Sequence, residues 1–299
     1  MLEHTSASNA SDLPFVTLWP YLLLTFLILS LLGLSIWQWT DRQKDEQIWR
    51  ELIAQAGPPQ AVFDATMIEG LPEPAQRYFR YTIKDGTPLF MAVEIDMHGE
   101  LGLGTVDQPK YDPMKARQIL APPHGLVWEL KSGAISGSDG ATPNTSWTRF
   151  WLFRVIPVVR VGGETDHHRS AFGRVVSEGA FWVPASLLPS DFVRWEPVDR
   201  TTARAVVTYA GIEQPVEITV AESGQPTRVV IPRWSNENPE RQFREQPFGG
   251  ELSMFRSFGG YMLPTRVTGG NHIGTEDYFP FYKADVTDIR FPNTLASLR

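Results

Sequence analysis

The residues able to do chemistry are few and scattered. "GGETDHHRS", residues 162–170, sets Asp166 beside His167 and His168. A carboxylate beside an imidazole can orient a general base, and two imidazoles can begin a metal site. In an extended chain adjacent side chains point to opposite faces, so His167 and His168 would not converge on one ion. The segment reads as a solvated polar loop. Glu178 and Asp191 lie in "SEGAFWVPASLLPSDFVRWEPVD", residues 177–199. Paired carboxylates run hydrolysis when their surroundings push their pKa values apart. Asp191 follows "LLPS" and equally suits a turn. His272, Glu276 and Asp277 share one loop, but a metal would need ligands from elsewhere. The sequence has no nucleophile elbow, phosphate loop, H-E-x-x-H helix or dinucleotide fingerprint. With no Cys, disulfides, thiolate catalysis and Cys-ligated metal are excluded. The reading assigns no catalytic residue, no metal and no cofactor.

Aromatic residues are the excess. There are 10 Trp among 299 residues, six of them between Trp128 and Trp234. Trp128, Phe181, Trp182, Leu187, Leu188 and Trp195 are the candidates to line an apolar pocket. "FWVPASLLPSDFVRW" is expected as a short helix or loop from Pro184 to Ser190, limited by Pro184 and Pro189. It would lie over the mouth of a sheet as a lid, or form a packed corner with no cavity behind it. The net charge of −7 is spread along the chain without a basic stripe. A nucleic-acid partner is therefore not expected.

Other elements must position these side chains. From Leu13 to Thr40 no residue is charged, and Trp19, Tyr21, Trp37 and Trp39 mark the two ends. As a helix this run would reach ~42 Å. That exceeds the ~30 Å of a hydrocarbon core, and the aromatic ends fit the two interfaces. No Lys or Arg precedes it and no small-x-small site follows, which disfavours a cleaved signal peptide. The spacing of Ile48, Leu52 and Ile53 prolongs the helix to residue 56, where Gly57-Pro58-Pro59 stops it. Arg42, Lys44 and Arg50 follow the span, so flanking charge favours a cytoplasmic main domain. "LPEPAQRYFRYTI", 71–83, reads as a short helix.

Beyond about residue 88 the period becomes two. "MAVEIDMHGELGLG", "RAVVTYAG", "VEITVAE", "TRVVIPRW" and "FYKADVTDIRF" alternate between turn residues. "GGELSMFRSFGGYMLPTRVTGG" reads as a hairpin turning at Gly259-Gly260. The chain thus divides into a tail (1–12), a transmembrane and juxtamembrane helix (13–56) and a single β-rich domain (57–299). The fold class is mainly β, a strongly curved antiparallel sheet or half-barrel with a few short helices.

"LPEPAQRYFRYTI", "PPHGLVWEL", "EGAFWVPASLLPSDFVRWEPVD" and "GGELSMFRSFGGYMLPTRV" occur in an order that resembles DUF6544 (DUF6920-like), a bacterial family of unknown function. The resemblance runs from about residue 68 to 290, and "WVPASLLPSDFVRWE" is its most specific piece. The family carries no agreed catalytic residues, so none transfers. The strand pattern is also similar to the LolA/LolB-type lipoprotein carriers, whose half-barrel has an apolar interior closed by short helices. That likeness implies an extracytoplasmic domain, against the flanking charges.

Taken together, the reading is of a single-pass membrane module that binds an apolar, lipid-like ligand in the concave face of its sheet. The alternatives are a hydrolase or lyase using Asp166/His167 or Glu178/Asp191, and a structural or partner-binding envelope protein. Ser30, Gly33 and Ser35 are small but lack a clean small-x-x-x-small spacing, so they set no oligomeric state.

Overall fold

The computed structural model describes residues 15–292, with side chains from Trp19 onward. The expected tail, 1–12, lies outside the described residues. Helix α1 (Phe15–Ala56) is continuous, and its apolar N-terminal half is exposed and long enough to cross a membrane. Gly57, at φ +61°, takes the left-handed conformation that ends the helix. The helix expected over 71–83 is α2 (Glu73–Thr82).

The strands form one 13-stranded antiparallel sheet. Its first half is β1 (Val93–Gly102), β2 (Tyr111–Ala121), β3 (Gly125–Ser132), β4 (Ile135–Thr142), β5 (Thr145–Leu152) and β6 (Ile156–Gly162). The second half is β7 (Val193–Pro197), β8 (Thr202–Tyr209), β9 (Ile212–Val220), β10 (Pro226–Ser235), β11 (Arg244–Phe258), β12 (Tyr261–Asn271) and β13 (Phe279–Arg290). Each half is a meander. They join where β1 pairs with β13, which leaves β6 and β7 as the two edges. Alternation does the sorting: Val216, Ile218 and Val220 of β9 are buried and the residues between them are not.

The connection between the edges is helix α3 (Thr165–Trp182), followed by a 3₁₀ turn at Pro184–Leu187. It shows how far the sheet bends. In a flat sheet β5 and β9 would stand roughly 43 Å apart, at ~4.8 Å per strand. α3 is only about 27 Å long, yet it packs against both strands. The sheet is therefore curled around the helix.

α3 corrects the expected polar loop at 162–170: Thr165 to Ser170 form its first turns. Gly173, Gly179 and the β-branched pair Val175-Val176 weaken its helical signal. Close packing explains the glycines. A Cβ on Gly179 would meet the Pro122 ring at 2.8 Å, and one on Gly173 would meet the Gln214 Oε1 at 2.9 Å.

The main core lies between the concave face, α2 and α3. A smaller core lies on the outer face, where Trp49 and Leu52 of α1 bury against Ile119, Ala121, Val127 and Trp147. Ion pairs frame it. Arg160 forks Asp41 through Nη1 at 2.6 Å and Nη2 at 3.2 Å. Arg117 joins Glu46 of α1 to Glu129. The Ser138 hydroxyl donates to Asp45 at 2.6 Å, and the Trp49 indole N–H to Glu94 at 2.8 Å. The end of α1 is thus held side-on against β1 to β6.

Candidate functional site

Between α3 and the concave face the packing opens into a cavity of about 230 Å³. Its apolar walls are Trp128 of β3, Phe150 of β5, Phe181 of α3, Phe248 of β11, and Phe281 and Tyr282 of β13. Period-two alternation turns Trp128, Phe150, Phe248 and Tyr282 toward the core, Phe281 borders the cavity where it meets the neighbouring recess, and the curl of the sheet brings distant strands to face one another. Glycine keeps one wall free of side chains. Gly249 and Gly250 of β11 stand opposite Gly270 and Gly269 of β12, and three of the four line the cavity. A Cβ on Gly249 would strike the Val229 carbonyl at 2.1 Å.

The polar residues of the wall are mostly bound to each other. Arg174 donates through Nη1 to Asp139 at 2.5 Å and through Nε to Glu178 at 2.5 Å. Its guanidinium lies 4.9 Å from the Trp128 ring centre. Burial alone would lower the Arg174 pKa; the charges of Glu178 and Asp139 outweigh it and keep the group cationic. Glu178 also accepts from the Gln118 side-chain amide. Gln118 stands directly across from Trp128 on the neighbouring strand. The Gln118 Oε1 and the Trp128 indole N–H are buried there with no hydrogen-bond partner among the described residues. Burial pushes the Tyr282 phenol well above its ordinary range, and its hydroxyl faces Met97 Sδ at 2.9 Å.

A second recess of about 370 Å³ adjoins the cavity and shares Asp139, Arg233 and Phe281 with it. Exposed Glu237 on its border brings it to the surface. His167 lines it, with Nδ1 2.7 Å from Ser146 Oγ and Nε2 3.2 Å from Thr148 Oγ1. Burial holds the His167 pKa below its ordinary value, against the pull of Asp139. Thr148 in turn donates to Asp139 at 2.8 Å.

Of the sequence candidates, Trp128 and Phe181 line the cavity. Trp182 and Leu187 are buried in the main core, and the Trp182 indole N–H reaches the Pro264 carbonyl at 3.3 Å. Leu188 is half-buried against the same core. Trp195 packs on Tyr78 and Phe79 and donates to the Leu187 carbonyl at 2.9 Å. The 3₁₀ turn, expected as a lid or as a packed corner, is itself buried beneath the end of α3.

The acid–base pairs do not converge. Asp166 accepts the Trp234 indole N–H at 2.8 Å, while its neighbour His167 turns to Ser146 and Thr148. Glu178 is bound to Arg174 and Gln118 inside, whereas Asp191 is exposed in the loop before β7. Among the described residues no three His, Asp or Glu side chains gather to hold a metal ion. Asp139, Arg174 and Arg233 lie in no motif and carry no local sequence signal for this site. The one signal in the sequence is the two Gly-Gly pairs, at 249–250 and 269–270, inside the segment read as a hairpin.

No curated protein matches the chain. Among solved structures, a LolA superfamily protein from Nitrosomonas europaea is similar at 9% identity and a TM-score of 0.39, over 75% of this chain and 94% of that one. A domain from Vibrio parahaemolyticus, described as an outer membrane lipoprotein-sorting protein domain, is similar at 12% identity and a TM-score of 0.36, over 68% of this chain and 86% of that one. The description of the family of unknown function DUF6544 matches residues 61–284, from the approach to α2 through the first half of β13, and the chain belongs to that family.

Proposed function

We propose that this chain is a bilayer-anchored receptor for an apolar, lipid-like molecule seated between α3 and the concave face of the sheet. The observation that carries the reading is the cavity itself. Protein interiors are close-packed and seldom keep voids larger than a water molecule. Here about 230 Å³ stays open behind aromatic walls, in a core where Val229 and Val267 are otherwise buried. An apolar space of ~150 Å³ already suffices to hold benzene. With its adjoining recess the site reaches the ~300–1,000 Å³ usual for small-molecule pockets. α1 would hold this site beside a reservoir of such molecules. Its side-on attachment to β1–β6 would fix the distance between bilayer and site.

The test is native mass spectrometry of the full chain purified in mild detergent, before and after delipidation. The reading expects an adduct of lipid mass that is lost on delipidation and regained when hexadecanol is supplied. A chain that carries no adduct and takes up no hexadecanol is not such a receptor.

A further inference from the structure

Two arginines border the space between α3 and the sheet, and the fold treats them differently. Arg174 has two carboxylates at 2.5 Å each. Arg233 of β10 has none: among the described residues no Asp or Glu oxygen forms an ion pair with it. Its Nε donates to the Ser170 hydroxyl at 3.1 Å, and its guanidinium sits 4.5 Å from the Phe248 ring centre. Three carboxylates act on it from a distance: Asp139 and Glu178, both engaged by Arg174, which also repels it, and Glu237, which is exposed on the rim of the recess. Burial accordingly depresses its pKa. A guanidinium in such surroundings gains when an anion arrives with good hydrogen-bond geometry.

Its position gives the second half of the argument. Arg233 lines both the apolar cavity and the polar recess, so it stands at the boundary between them. On the cavity side lie Phe181, Phe248 and Val267. On the recess side lie the Ser170 and Thr148 hydroxyls and His167, with the Asp139 carboxylate held by Arg174 and Glu237 at the outer rim. A molecule filling both would be apolar along one part and polar at one end, with its polar end at the cation.

We infer that the ligand is a single-chain amphiphile with an anionic headgroup, a carboxylate or a phosphate, which pairs with Arg233 in the recess while its chain fills the aromatic cavity. This rests on the lipid-receptor reading and narrows it to one headgroup class. Glu237 at the rim is exposed, and salt screens an exposed charge far more than a buried one.

The experiment titrates the full chain in detergent with palmitate, hexadecyl phosphate, hexadecanol and hexadecyltrimethylammonium, all below their micellar concentrations. The wild-type chain should bind palmitate or hexadecyl phosphate roughly tenfold or more tightly than hexadecanol, as expected for a charged hydrogen bond. The tighter of the two anions identifies the headgroup. Arg233→Gln should erase the preference, while Arg233→Lys should keep part of it. Wild-type protein that binds hexadecanol, or the ammonium amphiphile, as tightly as both anions overturns the inference and leaves the receptor reading standing. This comparison needs no variant to fold. Protein that binds none of the four sinks the receptor reading as well.

Discussion

Trp128 and Trp182 are both buried and both touch α3 or belong to it, yet they do different work. Trp182 is fully enclosed and packs edge-on against Phe181, ring centres 4.6 Å apart. Trp182→Ala should therefore cost about 3–5 kcal/mol, the range for truncating a large core aromatic. Thermal melting of the full chain in detergent measures this; an unchanged midpoint would contradict the packing described. Trp128 lines the cavity, so its truncation enlarges an existing space and should act more on ligand uptake than on the midpoint. His167 makes a prediction in pH. Burial is the main cause of its lowered pKa, so the unfolded chain takes up its proton first as pH falls, from about 6.5. The stability contributed by the neutral ring is complete above pH 6.5 and declines below it. His124, lowered by burial too, acts in the same sense. Between pH 7.5 and 5.5 the wild-type midpoint should thus fall further than that of His167→Gln. Equal falls would show that His167 carries no linkage. At this scale residue types were legible and directions were not. The aromatic excess marked Trp128 and Phe181 along with side chains that prove to be core, and only register and α3 decide that Phe181 lines the cavity while Trp182 beside it does not.

Among the elements, α1 was the most legible and the least complete. Its uncharged run, the stripe of Ile48, Leu52 and Ile53, and its stop at Gly57 were all readable. The burial of Asp41 and Asp45 was not, because their partners, Arg160 and Ser138, come from strands roughly a hundred residues away. Arg42, Lys44 and Arg50 are exposed, while the acids between them turn to the sheet. Those acids are therefore compensated locally, which a count of flanking charges does not register. The attachment is testable. Trp49→Ala removes a side chain that is 6% exposed and bonded to Glu94, so about 3 kcal/mol of local packing should be lost. Amide hydrogen exchange over residues 41–56 should then quicken by about a hundredfold. Exchange at the wild-type rate would mean that α1 is not held by the outer core. α3 was missed because two glycines and two valines blur its period. The same glycines let it lie close against Pro122 and Gln214.

At the scale of the molecule the sheet does the positioning. Period-two alternation told of antiparallel strands, and hairpins between neighbours follow from short turns. The pairing of β1 with β13 links Val93–Gly102 to Phe279–Arg290, and no local signal carries such a contact. That pairing merges two meanders into one sheet. The curl around α3 then brings Phe150 of one half within reach of Phe248 of the other, and the space left between them is the cavity.

The most direct measurement fills that space. Val267 lines the cavity at 4% exposure, so Val267→Phe should plug it from the sheet side. The full-length variant and the wild type are compared for hexadecanol bound per chain, by native mass spectrometry, with the melting midpoint as a check on folding. The account predicts about one hexadecanol on the wild type and a loss of at least tenfold in the variant, at a midpoint within a few degrees. A folded Val267→Phe chain that binds hexadecanol as well as the wild type would contradict it.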